Sequence, residues 1–200
     1  NQYSSKFLEK INKYLIFIDG DCIPHHQFIE EHLSLAKKGK VVAGRRVMLT
    51  EELTKSITKE MISSRKIHRF VAIRVLLSSF LGKVRHAEES IRITNKWLRK
   101  IFLKERFHDL LGCNFSIYKQ DMLKINGFDE RFSYPGIGED TDVEARLNRI
   151  GIYCKVERHM LTVYHKWHKI NHFGSEKNKV FIEDNNKNNI SKTPYGIIKN

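Results

Sequence analysis

Two aspartates one residue apart, Asp19 and Asp21, directly follow an apolar run in the sequence IFIDGDCIP. Carboxylate oxygens are hard donors that suit Mg²⁺ or Mn²⁺, and phosphate oxygens can complete the coordination shell of such an ion. Gly20 between the aspartates would let the backbone turn tightly, so that both carboxylates face one site. The same residue types are also common in plain turns, so the short motif leaves both interpretations open.

A second group of carboxylates lies far along the chain, in the sequence GIGEDTDVEARL. Glu139, Asp140 and Asp142 fall in the first turn of a predicted helix, after a glycine loop that ends at Gly138. The glycine loop would be flexible enough to approach a ligand and to bring the two adjacent carboxylates to it. Acidic residues are also favoured at helix N-termini by the helix dipole and the free N–H groups, and this alternative is sufficient for Asp142.

Two histidines in the sequence VYHKWHK form a third candidate group. His165 ends a predicted strand, and His168 follows three residues later. A neutral imidazole at the end of a strand can complete a divalent-metal site, although a packed or surface histidine is the ordinary alternative. The spacing does not show which of the two rings points towards the carboxylates.

The elements that must position these side chains alternate between strands and helices, which predicts an α/β fold with a mixed, mainly parallel sheet flanked by helices. The first apolar run does not alternate with polar residues, as expected for a strand covered on both faces. Ligands of such sheets bind at the carboxyl ends of the strands, where Asp19 and Asp21 would lie. In chain order the pattern predicts a strand at 13–18, a helix from Pro24 to Gly39, strands at 40–49 and 110–118, helices at 119–125 and 139–150, and strands at 152–157 and 160–165.

Residues 55–106 are densely basic and helical in composition, and they are interpreted as two or three amphipathic helices inserted into the domain. Apolar and cationic residues are mixed between positions 66 and 85, a composition that fits a helix lying in an anionic membrane interface. Packing of the apolar face on the domain is the alternative. The Asn- and Lys-rich sequence at 173–200 predicts a flexible C-terminal tail.

Bulk composition narrows the classes of protein. A chain of 200 residues with 40% hydrophobic content can form one folded domain with a core. Its three cysteines have the spacing of neither a zinc site nor a disulfide framework, which favours a reducing, cytoplasmic location. No apolar stretch is long enough to cross a bilayer. The excess of 36 basic over 23 acidic side chains, a net charge of +13, favours anionic partners, including the inner face of the plasma membrane.

Four stretches in this order resemble the catalytic half of a GT-A-fold glycosyltransferase of family two, close to the branch that shares its C-terminal region with galactosyltransferases: FIDGDCIPHHQFI, GCNFSIYKQDMLKINGFDERF, GEDTDVEARL and VYHKWH. The resemblance covers about residues 12–48 and 108–170. It implies a nucleotide-diphosphate sugar as the donor, above all a UDP-sugar. It also implies a saccharide or lipid-linked acceptor and a role in the synthesis of cell-surface polysaccharide.

The resemblance assigns the first and third groups of residues to a metal site. Asp19 and Asp21, with Gly20 between them, would hold Mn²⁺ or Mg²⁺ against the diphosphate of the donor. A late histidine would complete the metal shell, with His165 the better positional match and His168 the second.

The resemblance assigns the second group to the acceptor. Glu139, following Gly138, would place the acceptor, and Asp140 would act as the general base of an inverting displacement. Strands and helices that bind the base and ribose normally precede the aspartate motif in such proteins, so residues 1–172 are interpreted as a partial catalytic domain that lacks this nucleotide-binding portion. Relatives among galactosyltransferases carry a tryptophan in the acceptor loop, where this chain has Ile137.

Two other classes of function remain as alternatives. A basic module that binds nucleic acid or membrane without catalysis would explain the charge, but the basic helices show no recognised nucleic-acid motif and no aromatic stripe for stacking, so no nucleic-acid partner is expected. A metal-dependent phosphohydrolase could also use paired aspartates, but it would usually need more ligands for two ions.

Overall fold

The computed structural model describes residues 13–79, 87–95, 97–99, 110–133, 138–169 and 175–199. The strands within these ranges are β1 (Tyr14–Ile18), β2 (Cys22–Pro24), β3 (Lys40–Ala43), β4 (Arg46–Met48), β5 (Asn114–Tyr118), β6 (Tyr153–Val156) and β7 (Val163–His165). The helices are α1 (Phe28–Leu35), α2 (Glu51–Ser56), α3 (Lys59–Ser63), α4 (Ile67–Ser79), α5 (Lys119–Lys124), α6 (Glu139–Arg149) and α7 (Ser175–Lys187), with a short 3-10 helix at Ala87–Ser90. The predicted α/β class is therefore correct.

The strands form two small mixed sheets instead of one mainly parallel sheet. The first has the order β1-β5-β3-β6, and only its β3–β6 pair is parallel. The second has the order β2-β7-β4, with β2 and β7 antiparallel and β4 and β7 parallel. The predicted strand direction was wrong because a continuous apolar run shows that both faces of a strand are covered, but it does not show which way the neighbouring strand runs.

Two element boundaries differ from the predicted ones for local reasons. Pro24 does not begin a helix, because it pairs with Val163 at the end of β2, and the helix begins at Phe28. The predicted strand at 40–49 is divided at Gly44, where β3 leaves the first sheet and β4 enters the second. A side chain at Gly44 would lie 2.3 Å from the carbonyl oxygen of Leu161, so the close approach of these two segments requires glycine.

The core has two main parts, one for each sheet. Phe115 and Ile117 of β5 pack with Val143 and Leu147, which lie one turn apart on the apolar face of α6. The other part joins the second sheet to α4 and consists of Ile23, Val47, Leu49, Leu53, Ile67, Val71, Val75 and Tyr164.

The apolar face of the basic helical region packs on the domain over its described part. Ile67, Val71 and Val75 recur every four residues along α4 and are almost completely buried in the core. Ile73 and Leu77 of the same helix are exposed. Residues 80–85 of the predicted membrane-facing segment, and residues 80–86, 96 and 100–106 of the predicted insertion, lie outside the described residues. No helix among the described residues is long and apolar enough to cross a membrane.

The segment predicted as a flexible tail contains helix α7 and makes contacts with the domain over residues 175–199. Helix α7 donates a hydrogen bond of 2.7 Å from Asn185 to buried Asp142, and Thr193 donates one of 2.8 Å to buried Asp129. The side chain of Asn126 donates to the carbonyl oxygens of Thr193 and Ile198. Composition does not reveal these contacts, because an Asn-rich sequence is typical of mobile chains, whereas these polar side chains make specific buried hydrogen bonds.

Candidate active site

The turn between the two aspartates joins the two sheets. β1 ends at Ile18, and the N–H of Cys22 closes the turn by donating to the carbonyl oxygen of Asp19 at 3.0 Å. Gly20 has an ordinary backbone conformation, and a Cβ added there would meet no atom within 4 Å. The turn itself therefore does not require glycine.

Pairing between β2 and β7 brings the histidines to this turn. Cys22 lies opposite His165, and the N–H of Lys166 donates to the carbonyl oxygen of Asp21 at 2.9 Å. As a result, one carboxylate oxygen of Asp21, Oδ2, lies 3.4 Å from Nε2 of His165 and 3.2 Å from Nε2 of His168. The structure therefore brings both predicted histidines to the same carboxylate, which their spacing could not show.

The orientation of the two rings leaves Nε2 directed at the carboxylate. Nδ1 of His165 lies 2.9 Å from the carbonyl oxygen of Lys166, and Nδ1 of His168 lies 3.1 Å from that of Lys169. A carbonyl can only accept, so each Nδ1 donates, and each neutral ring keeps its lone pair on Nε2. Metal-binding histidines commonly have their other ring nitrogen fixed in this way.

Burial favours the neutral form of His165. Its desolvation lowers the pKa of the ring, which the charge of Asp21 raises and that of Arg46 lowers further. A neutral His165 directs the lone pair of its Nε2 at Oδ2 of Asp21, an oxygen that also carries lone pairs. A cation bound by both atoms would turn this unfavourable contact into two ligand bonds.

The second oxygen of Asp21 provides an independent test of whether a cation fits. Oδ1 is buried and has no hydrogen-bond partner in the described part of the chain. An unsatisfied buried acceptor of this kind costs about 1–3 kcal/mol, and more when it is charged. The thiol of Cys22 also lies within 4.8 Å of ligand atoms of Asp21 and His165, and its interaction with Cys113 and its burial raise its pKa. The carboxylate oxygens of this group are ligands that suit Mn²⁺ or Mg²⁺, and the imidazole and thiol beside them can also bind a divalent cation.

Asp19 links this group to the carboxylates of α6. Its side chain reaches solvent, but the surrounding protein desolvates the carboxylate partly and raises its pKa. The charge of Asp21 raises the pKa further, His165 and Arg46 lower it, and Asp140 raises it. These carboxylates are thus close enough to repel one another, and a bound cation would reduce that repulsion.

The first turn of α6 reaches the same place through β5. Ile18 at the end of β1 lies opposite Asn114 at the start of β5, and Gly112 precedes that strand by two residues. The N–H of Gly112 donates to Oδ2 of Asp140 at 3.0 Å. The N–H of Thr141 donates to Oδ1 at 2.8 Å, so the carboxylate of Asp140 is held in one orientation by two backbone groups.

Gly138 and Glu139 complete this turn. Gly138 precedes the helix at φ 150°, a conformation open to glycine, and a Cβ there would lie 2.8 Å from the ring of Phe132. Glu139 is half-buried, and its burial raises the pKa of the carboxyl group. The charges of Asp140 and Asp19 raise this pKa further. A carboxylate with a raised pKa is a stronger proton acceptor, so Glu139 is a second candidate base that the sequence did not indicate.

Asp142 belongs to the core and not to the site. It is buried and accepts from Nε of Arg146, also buried, at 2.7 Å. Asn185 donates to its other oxygen. The sequence left a capping role open for this residue, and the structure shows a buried ion pair within α6.

Arg46 is a site residue that sequence analysis missed. It lies at the start of β4, beside β7, and Nη1 lies 3.6 Å from the sulfur of Cys113. Its charge lowers the pKa of Asp19, His165 and Cys113, so the guanidinium acts on the carboxylate of Asp19 and on the ring of His165. A signal was present, because two arginines at 45–46 interrupt an otherwise apolar strand.

Comparison with known proteins gives one family match. Residues 93–174 match the family model described as the N-terminal domain of galactosyltransferase. This segment contains Glu139, Asp140, His165 and His168, whereas Asp19 and Asp21 precede it. No curated protein matches the chain. The match, which covers less than half of the chain, supports a glycosyltransferase domain.

Proposed function

We propose that this chain is a metal-dependent glycosyltransferase of family two with a GT-A-type fold, which transfers a hexose from a nucleotide-diphosphate sugar to an acceptor hydroxyl. The observation that carries the proposal is Asp21, whose Oδ2 faces two histidine nitrogens and whose Oδ1 is buried without a partner. The family match to galactosyltransferase supports the same class of reaction.

Asp19, Asp21, His165 and His168 are the residues that would hold Mn²⁺ or Mg²⁺. When bound, such an ion stabilises as a Lewis acid the negative charge that develops on the diphosphate leaving group. Arg46 adds a fixed positive charge at the same edge and is suited to bind a phosphate oxygen.

A carboxylate of α6 would take the proton of the acceptor. The acceptor oxygen forms a bond to the anomeric carbon as the bond from that carbon to the diphosphate oxygen breaks, and the hydroxyl proton passes to the carboxylate. Asp140 is the proposed base because two backbone N–H groups fix its orientation. Glu139 would place the acceptor, or act as the base itself, since its pKa is raised. A single displacement of this kind inverts the anomeric centre.

The finer assignments are part of the same proposal. The donor is a UDP-sugar, the acceptor is a saccharide or a lipid-linked saccharide, and the product belongs to cell-surface polysaccharide. The protein would work in the cytoplasm at the inner face of the plasma membrane. Its charge of +13 and the exposed Ile73 and Leu77 beside the cation of Arg74 on α4 support contact with anionic lipid.

Mn²⁺ binding tests the site without requiring turnover. Titration followed by the electron paramagnetic resonance of free Mn²⁺ should show one bound ion, and Asp21→Asn should remove it. Glu176→Gln, which also removes one negative charge but lies on the exposed face of α7, is the matched control. Equal Mn²⁺ binding by wild type and Asp21→Asn would return the aspartate motif to an ordinary turn.

Release of UDP from a panel of UDP-sugars, with and without Mn²⁺, tests the reaction. Asp140→Asn and Glu139→Gln should be compared in parallel, and the variant of the base should lower turnover by about a hundredfold or more with donor binding unchanged. Metal-dependent release of inorganic phosphate would instead support the phosphohydrolase. Salt-sensitive binding of nucleic acid without donor turnover would support the basic binding module.

A further inference from the structure

A second cluster of possible ligands lies outside the site described above. His25 and His26 directly follow β2, and His68 is the second residue of α4. One ring nitrogen from each of the three lies within 4.8 Å of the others. The ring centroids of His25 are 4.1 Å from those of both His26 and His68, and those of His26 and His68 are 5.3 Å apart. Three imidazoles from two separate segments thus converge on one point.

The three rings are neutral at physiological pH, as metal ligands must be. Burial lowers the pKa of His25 to about 3 and that of His68 to about 4. The pKa of His26 is also lowered, first by burial and then by the charges of Arg65 and Arg92. The same two arginines oppose a bound cation, but Arg92 forms an ion pair with Glu31, which compensates its charge.

A ring nitrogen of His68 is available at small cost. Nδ1 is buried and has no hydrogen-bond partner among the described residues. Nε2 accepts a hydrogen bond of 3.1 Å from the backbone N–H of His26. This N–H is exposed, so a water molecule can accept its hydrogen bond when Nε2 binds an ion. The cluster also borders an open cleft of about 430 Å³ between β1, α1 and α3, so an ion can reach it.

We propose that His25, His26 and His68 bind a late first-row dication such as Zn²⁺, at a site separate from the one at Asp21. A set of three imidazoles favours Zn²⁺, Cu²⁺ or Ni²⁺ over Mg²⁺ and Mn²⁺, which prefer oxygen. The two sites therefore differ in chemistry as well as in position. An ion here would tie the first turn of α4 to the segment that follows the aspartate motif, and so join the basic helices to the edge of the active site.

The test uses Zn²⁺ alone, in the Asp21→Asn background, so that the first site does not compete. In a titration against a chromophoric chelator, Asp21→Asn is expected to bind one Zn²⁺ per chain. The double variants Asp21→Asn/His26→Gln and Asp21→Asn/His68→Gln each lack one proposed ligand. Zn²⁺ binding should weaken by more than about 10–100-fold, which is the effect of losing a residue that only hydrogen-bonds a metal ligand. Asp21→Asn/Glu176→Gln is the control, because it changes an exposed residue that lies outside both sites.

Thermal unfolding in a chelator shows whether each variant folds. His26 is exposed, so its replacement decides the question even if His68→Gln is unstable. The proposal is overturned if Asp21→Asn binds no Zn²⁺. It is also overturned if Asp21→Asn/His26→Gln binds Zn²⁺ with the same affinity as Asp21→Asn. Neither result alters the Mn²⁺ binding of the wild type, so the glycosyltransferase proposal is tested separately.

Discussion

Asp142 and Asp140 lie two residues apart in the same helical turn, and the structure predicts opposite consequences for their replacement. Asp142→Asn would leave the guanidinium of Arg146 without a counter-charge in a place that no solvent reaches. The amide oxygen of the new asparagine could still accept from Asn185. Asp140 lies in the half-buried first turn, where its oxygens accept from two backbone N–H groups.

The size of the effect follows from burial. Removing one partner of a buried ion pair costs about 3–5 kcal/mol, which is a large part of the about 5–15 kcal/mol that stabilises a typical domain. For a chain of this length, each kcal/mol lowers the melting temperature by about 2–4 °C, so Asp142→Asn should lower it by about 6–20 °C. Asp140→Asn forfeits one hydrogen bond, worth about 0.5–1.5 kcal/mol, and should lower it by only a few degrees.

Urea and thermal unfolding followed by circular dichroism measure both variants, and the double variant Asp142→Asn/Arg146→Met tests the cause. Because the double variant removes both charges of this buried pair, it should be more stable than the sum of the single effects predicts. It should remain below wild type, since the carbonyl oxygens of Ile125 and Gly127 lose the Arg146 donor. Loss of less than about 1 kcal/mol in Asp142→Asn would refute the ion-pair reasoning.

Three further predictions concern the site and the C-terminal segment. Burial and the charge of Asp21 raise the pKa of Asp19 in the folded protein, so ionisation of Asp19 lowers the free energy of unfolding. This loss of stability is absent at acid pH, where Asp19 is protonated in both the folded and the unfolded protein. It is complete once the pH has risen above the pKa of Asp19 in the folded protein. Asp19→Asn should therefore raise the melting temperature at pH 7 in a chelator while abolishing Mn²⁺-dependent transfer, and a lower melting temperature would contradict this. Gly138→Ala, at φ 150° and against Phe132, should reduce both stability and turnover, measured by thermal unfolding and UDP release. Gly196→Ala would place a Cβ 1.8 Å from the carbonyl oxygen of Asn126, so limited proteolysis should cleave residues 190–199 faster than in wild type.

The sequence predicted the parts of the molecule that depend on local pattern. The first apolar run ends at Ile18 in the structure as predicted, and Asp19 and Asp21 follow it in the turn. Helix α6 begins at Glu139 because the glycine before it, the acidic first turn and the apolar positions Val143 and Leu147 all agree.

The parts that failed depend on contacts between distant segments. Pro24 has the chemistry of a first helical residue, but pairing with Val163 places it in a strand. Arg46 interrupts an apolar run in the sequence, but only the position of β4 beside β7 shows which residues it lies near. Asn185 and Thr193 resemble residues of a mobile tail until their partners, Asp142 and Asp129, are known.

The β2–β7 pairing has a consequence for changes in chain length. The relative position of Asp21 and His165 is set by the register in which Cys22 faces His165, and not by the number of residues between them. Lengthening a connecting loop is inexpensive, since each doubling costs about 0.6 kcal/mol. Deleting one residue inside Val163–His165 instead shifts the strand register by one residue. The side chains on one side of the deletion then point to the opposite face of the sheet. Homologous chains should therefore differ in length between these strands and keep their length within them.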